Sequence, residues 1–141
     1  MTVADDSREF SWMLANFVDQ TAGVAGAVAV SADGLLMAMS ASLDRAAAEP
    51  VAAIISGLTS LGQGAAGALG YSGLERIIVA MGGGFLLVAS VSDGSCIGVV
   101  AKAGCDIGAV GYQMTLLVER AGTLLTPALV SELRQQVLQG A

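Results

Sequence analysis

The first part of the chain shows a helical spacing of apolar residues, followed by strand-like runs. Between Ser7 and Gln20, five apolar side chains recur at helical spacing: Phe10, Met13, Leu14, Phe17 and Val18. This pattern predicts an amphipathic helix over 7–20, with Asp6 as its N-cap and Glu9 completing a capping box. Apolar runs at 25–31 and 35–39 then flank the turn Ala32-Asp33-Gly34, which predicts a β-hairpin.

Three more short apolar runs lie in the second half of the chain. They cover 76–81, 85–91 and 96–102, and turns rich in glycine or serine separate them. This arrangement predicts a three-stranded antiparallel meander. The run Phe85-Leu86-Leu87-Val88-Ala89 is apolar on both faces, which an antiparallel strand needs only when both sides of the sheet are covered. Helices are therefore expected on each face.

Two helices are predicted after the meander. The first has six apolar residues at helical spacing, before a possible stop at Gly122: Ile107, Val110, Met114, Leu117, Val118 and Ala121. Thr126 is a suitable N-cap for the second helix, because Pro127 follows it at the first helical position. The apolar residues of this short C-terminal helix are Leu129, Val130, Leu133, Val137 and Leu138.

The middle of the chain carries no charge. Residues 50–74 are 25 uncharged positions, whereas 1–49 and 75–141 hold nine charged residues each. A helix is predicted from Asp44 or Arg45 to about Leu69, with Pro50 tolerable because it lies near the start. One stripe of this helix consists of Ile54, Leu58, Leu61, Ala65 and Leu69. An adjacent stripe carries small side chains: Ala53, Gly57, Ser60, Gly64 and Ala68.

A helix without a charged face is buried all round, either in protein or in lipid. Thr59, Gln63, two serines and five glycines, counted up to the residue after the helix, leave too few large apolar side chains for a membrane span, and no basic flank marks one. The five glycines are Gly57, Gly62, Gly64, Gly67 and Gly70. We therefore interpret the large stripe as packing on the sheet, and the small stripe as approaching the same helix of a second copy. This interpretation favours a homodimer.

Composition narrows the functional classes. A length of 141 residues fits one domain, and a charged content of 13% is about half the usual share, so part of the surface is expected to contact a partner. The net charge of −6, without a basic cluster, argues against nucleic acid as that partner. The chain has no histidine, which excludes His-dependent catalysis and His-ligated zinc. We expect a protein that is not an enzyme.

Two glycine patterns resemble cofactor motifs without their context. Gly62-Gln63-Gly64-Ala65-Ala66-Gly67 has dinucleotide-motif spacing, but no strand precedes it and no acidic residue follows at the required distance. Gly82-Gly83-Gly84 lacks the lysine and helix of a phosphate loop and is typical of a hairpin turn. Cys96 and Cys105 are expected to be buried, reduced thiols. No cofactor and no metal is predicted.

The order helix, hairpin, uncharged helix, meander, helix resembles the roadblock or dynein light chain family, in its bacterial (actinobacterial) single-domain branch. The likeness is carried by Ala25–Leu36, the helix ending in Gly62-Gln63-Gly64, Glu75–Val79 with Phe85–Val88, and Ile107–Met114. It implies an α/β sandwich of the α+β class with the order α-ββ-α-βββ-α, to which a short C-terminal helix is added. The five-stranded antiparallel sheet would have one helix on one face and two on the other.

The resemblance also implies a function. Family members are noncatalytic adaptors or regulators of small GTPases, and they pair through the central helix and the third strand. This chain would be a homodimeric adaptor or regulator of a Ras-like small GTPase, in a signalling module with a sensor histidine kinase. Two alternatives stay open: a sensory module that binds a small ligand between helix and sheet, and a purely structural subunit of a signalling complex.

The predicted site residues form two groups. The dimer interface is assigned to Ala53, Gly57, Ser60, Gly64, Ala68, Ile77 and Val79. Contacts to the GTPase are assigned to the few polar residues near the ends of the central helix, namely Asp44, Arg45, Glu49 and Gln63.

The chain is divided into a flexible N-terminus (1–6), a roadblock-like domain (7–122) and a C-terminal helical extension (123–141). The first six residues are acidic and polar, where a secretory signal would be basic and then apolar. The protein is therefore expected in the cytoplasm. It would reach a membrane through its partners and not by direct insertion.

Overall fold

A computed structural model describes residues 2–140 of the chain. The elements are α1 (Val3–Gln20), β1 (Val24–Val30), β2 (Leu36–Met39), α2 (Arg45–Leu69), β3 (Arg76–Met81), β4 (Gly84–Ser90), β5 (Cys96–Lys102), α3 (Ile107–Leu124) and α4 (Pro127–Gln139). Their order is the order predicted from the sequence.

The five strands form one antiparallel sheet in the order β2-β1-β5-β4-β3. β1 pairs with β2 as the predicted hairpin, and β3, β4 and β5 pair in succession as the predicted meander. The β1–β5 pairing joins the two units in the middle of the sheet. β2 and β3 are therefore the edge strands.

Alternating side chains on the three inner strands, β1, β4 and β5, build two cores. In β4, Leu87 and Ala89 belong to the cluster formed with α1, α3 and α4, whereas Leu86 and Val88 belong to the cluster formed with α2. This alternation confirms the prediction that helices cover both faces of the sheet. Within the described residues, α2 covers one face, and α4 joins α1 and α3 on the other.

The first helix begins four residues earlier than predicted. Thr2 is its N-cap, and the Asp5 N–H donates to Thr2 Oγ1 at 3.1 Å in a reciprocal capping box. The prediction of Asp6 as N-cap with Glu9 is wrong, because the Thr2–Asp5 pair satisfies the free amides upstream. Residues 3–6 of the segment predicted as flexible are helical, and Met1 lies outside the described residues.

The third helix continues past its predicted end at Gly122. It ends at Leu124, and the Leu125 N–H bonds to the Ala121 carbonyl. Gly122 instead allows close packing, since a Cβ there would lie 2.7 Å from Ser92 Oγ. The predicted boundary at 123 thus falls inside α3, and the division into domain and extension stays a prediction. Ala141, the last residue of that extension, lies outside the described residues.

The last helix starts as predicted. Thr126 is the N-cap of α4, its hydroxyl accepts from the Leu129 N–H at 3.1 Å, and Pro127 occupies the first turn. Leu129 and Leu133 are 0% and 1% exposed within the core shared with α1 and α3. α4 is therefore packed into the sandwich.

The central helix has the predicted bounds. Asp44 is its N-cap and accepts from the Ala47 N–H at 3.0 Å. Gly70 ends the helix in a left-handed conformation with a φ of 72°, which favours glycine.

The prediction of which α2 stripe contacts the sheet is wrong. The buried residues of α2 are Ala48, Ala52, Ile55 and Ala66. Ile54 and Leu61, from the stripe assigned to the sheet, are 55% and 74% exposed. Gly98 of β5 lies opposite Ile55, and a Cβ at Gly98 would overlap Ile55 Cδ1. Small residues on both sides of this contact let the helix lie close to the strands.

Candidate interaction surface

An uncovered apolar surface runs along α2, and we call it the α2 outer face. It contains three large exposed residues, Ile54, Leu61 and Leu69, with Leu69 65% exposed. The five small α2 residues predicted for the dimer interface complete it, and all are exposed: Ala53, Gly57, Ser60, Gly64 and Ala68. A Cβ at Gly57 or Gly64 would meet no atom of residues 2–140 within 4 Å. This face can therefore accept a closely approaching partner.

The edge strand β3 borders the same region. Ile77 and Val79 are half-buried and pack against the cluster under α2. Ile78 and Met81 are 49% and 56% exposed. The two predicted interface residues of β3 thus lie partly beneath α2. At its outer edge, β3 has no neighbouring strand among the described residues and presents its backbone.

Sequence reasoning missed the large residues of this surface. It assigned Ile54 and Leu61 to the sheet and did not single out Ile78. A second stripe, Ala48-Ala52-Ile55, has the same helical spacing and ends in a large residue. The glycine at position 98 inside an otherwise apolar strand was the available signal that this second stripe needs room at the sheet.

The four polar residues predicted as GTPase contacts do not form one cluster. Asp44 caps α2, and Arg45 Nε donates to Glu49 Oε1 at 2.9 Å. The Arg45 side chain is 29% exposed, and its buried Nη1 has no hydrogen-bond partner among residues 2–140. Gln63 is exposed 18 positions after Arg45, which is about 27 Å along a helix. Within one chain, three of these residues therefore lie together at the start of α2, and the Gln63 side chain is far from them.

A cavity of about 300 Å³ lies at the charged end of α2, between that helix, the β1–β2 turn and α4. Leu36, Ala52 and Val137 are among its apolar lining residues. Glu49 and Arg134 also line it, but each is already paired, with Arg45 and Asp33 respectively. This cavity between helix and sheet is one place where the alternative of a small-ligand sensor could be tested, and no free charged group distinguishes it.

The carboxylates with shifted acidity have local structural partners. A hydrogen bond from Ser31, together with the positive charge of Arg134, lowers the pKa of Asp33 below its ordinary value of 3.8. Hydrogen bonds from Thr2, together with Arg8, lower the pKa of Asp5 in the same way. In both cases the lowered pKa favours the ionised carboxylate, which accepts the hydrogen bonds of its neighbours.

The residues that resemble cofactor motifs belong to regular elements. Residues 62–67 lie within α2, and Gly82 and Gly83 form the turn between β3 and β4, as predicted. Cys96 is a buried free thiol, and Cys105 is a free thiol that is only half-buried. Within residues 2–140, no group of three or more His, Cys, Asp or Glu residues could hold a metal ion.

By length and composition, α2 is long and apolar enough to cross a membrane, the one such helix in the described chain. Core helices of soluble proteins meet the same criteria. In this structure, one side of α2 contacts the sheet. Of the most apolar 18-residue stretch of this helix, 11% is buried. The expectation that α2 does not insert into a membrane stays a prediction.

These features define a small α+β sandwich with an apolar helix face beside an open sheet edge. The sequence profile of the Roadblock/LC7 domain matches residues 10–101, which is more than half of the chain. The chain belongs to the Roadblock/LC7 family. This result confirms the family predicted from the sequence.

Solved structures agree with this assignment. One Roadblock/LC7 domain from Streptomyces avermitilis is 30% identical, with a TM-score of 0.74 and coverage of 79% of this chain and 92% of that one. A second from the same organism is 33% identical, with a TM-score of 0.65 and coverage of 79% and 97%. MglB of Myxococcus xanthus is 12% identical with a TM-score of 0.75, covers 82% and 93%, and is alike in fold alone. No curated protein matches the chain.

Proposed function

We propose that this protein is a noncatalytic homodimeric adaptor or regulator of a Ras-like small GTPase, in a signalling module with a sensor histidine kinase. Membership of the Roadblock/LC7 family supports a role in small-GTPase regulation. The single observation that carries the dimer is the α2 outer face beside the open edge of β3.

The dimer follows from the chemistry of that face. Two copies related by a two-fold axis can pair their β3 strands antiparallel and bring their α2 helices together. Fully burying a large apolar side chain contributes about 1.5–3 kcal/mol, and each copy offers Ile54, Leu61 and Leu69. The small residues beside them allow the two helices to approach closely.

Because of the same symmetry, both copies contribute residues to the proposed GTPase surface. Paired antiparallel, each α2 places its charged start, with Asp44, Arg45 and Glu49, toward the end of the other helix. The partner's Gln63 then lies nearer to these charges than the Gln63 of the same chain. We assign the GTPase contact to this composite surface, which is lost when the dimer dissociates.

Surface plasmon resonance tests this proposal. The ligand is a purified Ras-like GTPase of the source organism, loaded with GDP or with a nonhydrolysable GTP analogue. We expect saturable binding that differs between the two nucleotide states. Arg45→Glu should slow association and change its salt dependence, because charge at the helix start steers the encounter. Gln63→Ala should weaken binding, whereas the control Gln139→Ala, an exposed amide on α4, should not.

Three results would contradict the proposal at different levels. No binding in either nucleotide state contradicts the function. Unchanged binding by Arg45→Glu and Gln63→Ala variants that remain dimeric contradicts the assigned residues. Full binding by a monomeric variant contradicts the composite surface.

A further inference from the structure

We propose that α4 caps the β2 edge of the sheet and so restricts edge-to-edge pairing between copies to β3. An edge strand presents unpaired N–H and C=O groups that form a template for another strand. The cap is a contact within one chain. It rests on the proposed function only in taking β3 as the edge that pairs.

The burial of β2 is the first observation. Leu36, Met37 and Ala38 are 7%, 1% and 8% exposed, although β2 is an edge strand. The helix α4 packs against both β2 and α1. Together with α1 and α2, which contact the two faces of β2, α4 accounts for the burial of an edge that has no neighbouring strand among residues 2–140.

The course of α4 is the second observation. Leu129 and Leu133 belong to the core cluster on the face of the sheet that α1 and α3 cover. Val137, one turn further along the helix, packs against the cluster on the opposite face, under α2. The last turns of α4 therefore pass from one face of the sheet to the other across the β2 edge.

Polar contacts fix the end of α4 in that position. The hydroxyl of Ser7, a residue only 2% exposed, donates to Gln136 Oε1 at 2.9 Å. Arg134 Nη1 donates to Asp33 Oδ2 at 3.2 Å, which links α4 to the β1–β2 turn. A groove of about 380 Å³ remains along β2, and Gln136 and Val137 are among the α4 residues that border it. A new strand would need this space, because paired strands lie about 4.8 Å apart.

The backbone groups under this cap can be identified from the pairing. The Ser40 N–H donates to the Ala27 carbonyl at 2.9 Å, and Ala38 lies opposite Ala29. Because bonding alternates along the regular part of this pair, Ala38 also bonds to β1, and the Met39 N–H between Ala38 and Ser40 points away from it. This is the group that a second copy could use if α4 were displaced.

Breaking the end of α4 in the full chain tests the cap. Gln135 is exposed, so Gln135→Pro disrupts the turn that carries Gln136 and Val137 while Leu129 and Leu133 keep their places. The matched control is Gln135→Ala. Sedimentation velocity should give the control the mass of the native chain, and give Gln135→Pro larger species that grow with concentration. Adding Met39→Pro, which removes an outward N–H, should return the mass to that of the control.

A second variant guards against a chain that does not fold. Val137→Asp places a charge between α4 and the β2 edge, and we expect the same growth and the same reversal by Met39→Pro. Circular dichroism confirms that each variant is folded. A folded Gln135→Pro or Val137→Asp chain with the mass of the control at every concentration overturns the proposal. Growth that Met39→Pro leaves unchanged also overturns it, because association would then not use β2.

The cap and the proposed dimer can fail separately. A native chain that stays at 14.0 kDa over the whole concentration range contradicts the dimer. The cap is judged only by the difference between the disrupted variant and its control, whatever the mass of that control.

Discussion

The two edges of the sheet have similar apolar strands and opposite surroundings. The sequence of β2 is Leu-Met-Ala-Met, and that of β3 is Arg-Ile-Ile-Val-Ala-Met. Neither strand carries a lysine or a proline, the residues that often prevent unwanted pairing at an edge. β2 is nevertheless buried under α4, whereas Ile78 and Met81 of β3 stay exposed among the described residues. Protection here comes from a neighbouring helix, and the edge without it is the one available to a partner.

The largest expected difference between the two edges is the effect of a proline on dimer formation. Met81 and Gly84 flank a two-residue turn and so exchange hydrogen bonds, which leaves the Ala80 N–H pointing away from β4. Ala80→Pro should therefore spare the β3–β4 pairing but abolish the dimer. Met39→Pro, also at an outward N–H, should leave the dimer intact because that edge is covered. Light scattering over a concentration series measures both.

The control for this pair is Ala80→Val, which keeps the N–H and should remain dimeric. Circular dichroism would show that both proline variants are folded. A dimer of normal affinity in Ala80→Pro would mean that β3 does not pair with a second copy. Dissociation by Met39→Pro alone would mean that the two edges have been assigned the wrong way round.

A change on the α2 outer face should have the next largest effect. A Cβ at Gly57 would meet no neighbouring element of its own chain within 4 Å, so the cost of Gly57→Leu is expected where a second copy approaches. Overpacking of this kind costs about 1–3 kcal/mol, which weakens dimer affinity by about 5- to 150-fold. Sedimentation equilibrium gives the dissociation constant.

The matched control is Gly57→Ala. It adds only a Cβ at the same exposed position, where no neighbouring side chain lies within 4 Å. Both variants gain about the same helix propensity. Equal dissociation constants for the two variants would show that the face around Gly57 is not the contact.

The smallest effect concerns the ion pair at the capped edge. The hydrogen bond from Ser31 and, after it, the charge of Arg134 lower the pKa of Asp33 below 3.8, so both contacts with the ionised carboxylate favour the folded state above that pH. This contribution is lost as the pH falls through the lowered pKa. Arg134→Ala should thus slightly lower the melting temperature at neutral pH, and the difference from the native chain should vanish in acid. A melting temperature gap that stays constant into strong acid would contradict the pairing.

Local signals in the sequence were sufficient for most of the fold. The Asp-Gly turns, the Thr126-Pro127 start and the Asp44 cap fix element boundaries through residues that are close together in the chain. The bounds of α2 and the pairings within the hairpin and the meander were therefore predictable, whereas the β1–β5 pairing joins distant parts of the chain. The start of α1 was misplaced because two acidic residues, Asp5 and Asp6, are both suited to a first turn.

The orientation of α2 could not be obtained from the helix alone. Its stripes at Ile54 and at Ile55 are both apolar, and the choice between them depends on Gly98, a residue 43 positions further along the chain. The position of α4 across the β2 edge is equally nonlocal, because Leu133 and Val137 look alike in sequence and lie in different cores. The assignment of the small-residue stripe to the dimer interface stays a prediction. The structure places the large residues Ile54, Leu61 and Leu69 beside that stripe.

Because α2 is little buried within one chain, the stability of the folded protein should depend on its concentration. Only 11% of the most apolar 18-residue stretch of α2 is buried within the single chain. In the proposed dimer, the second copy covers the α2 outer face and binds only the folded state, so association is thermodynamically linked to folding. The melting temperature should then rise with protein concentration. A cell that makes less of this protein would also leave a larger fraction of it open to proteolysis.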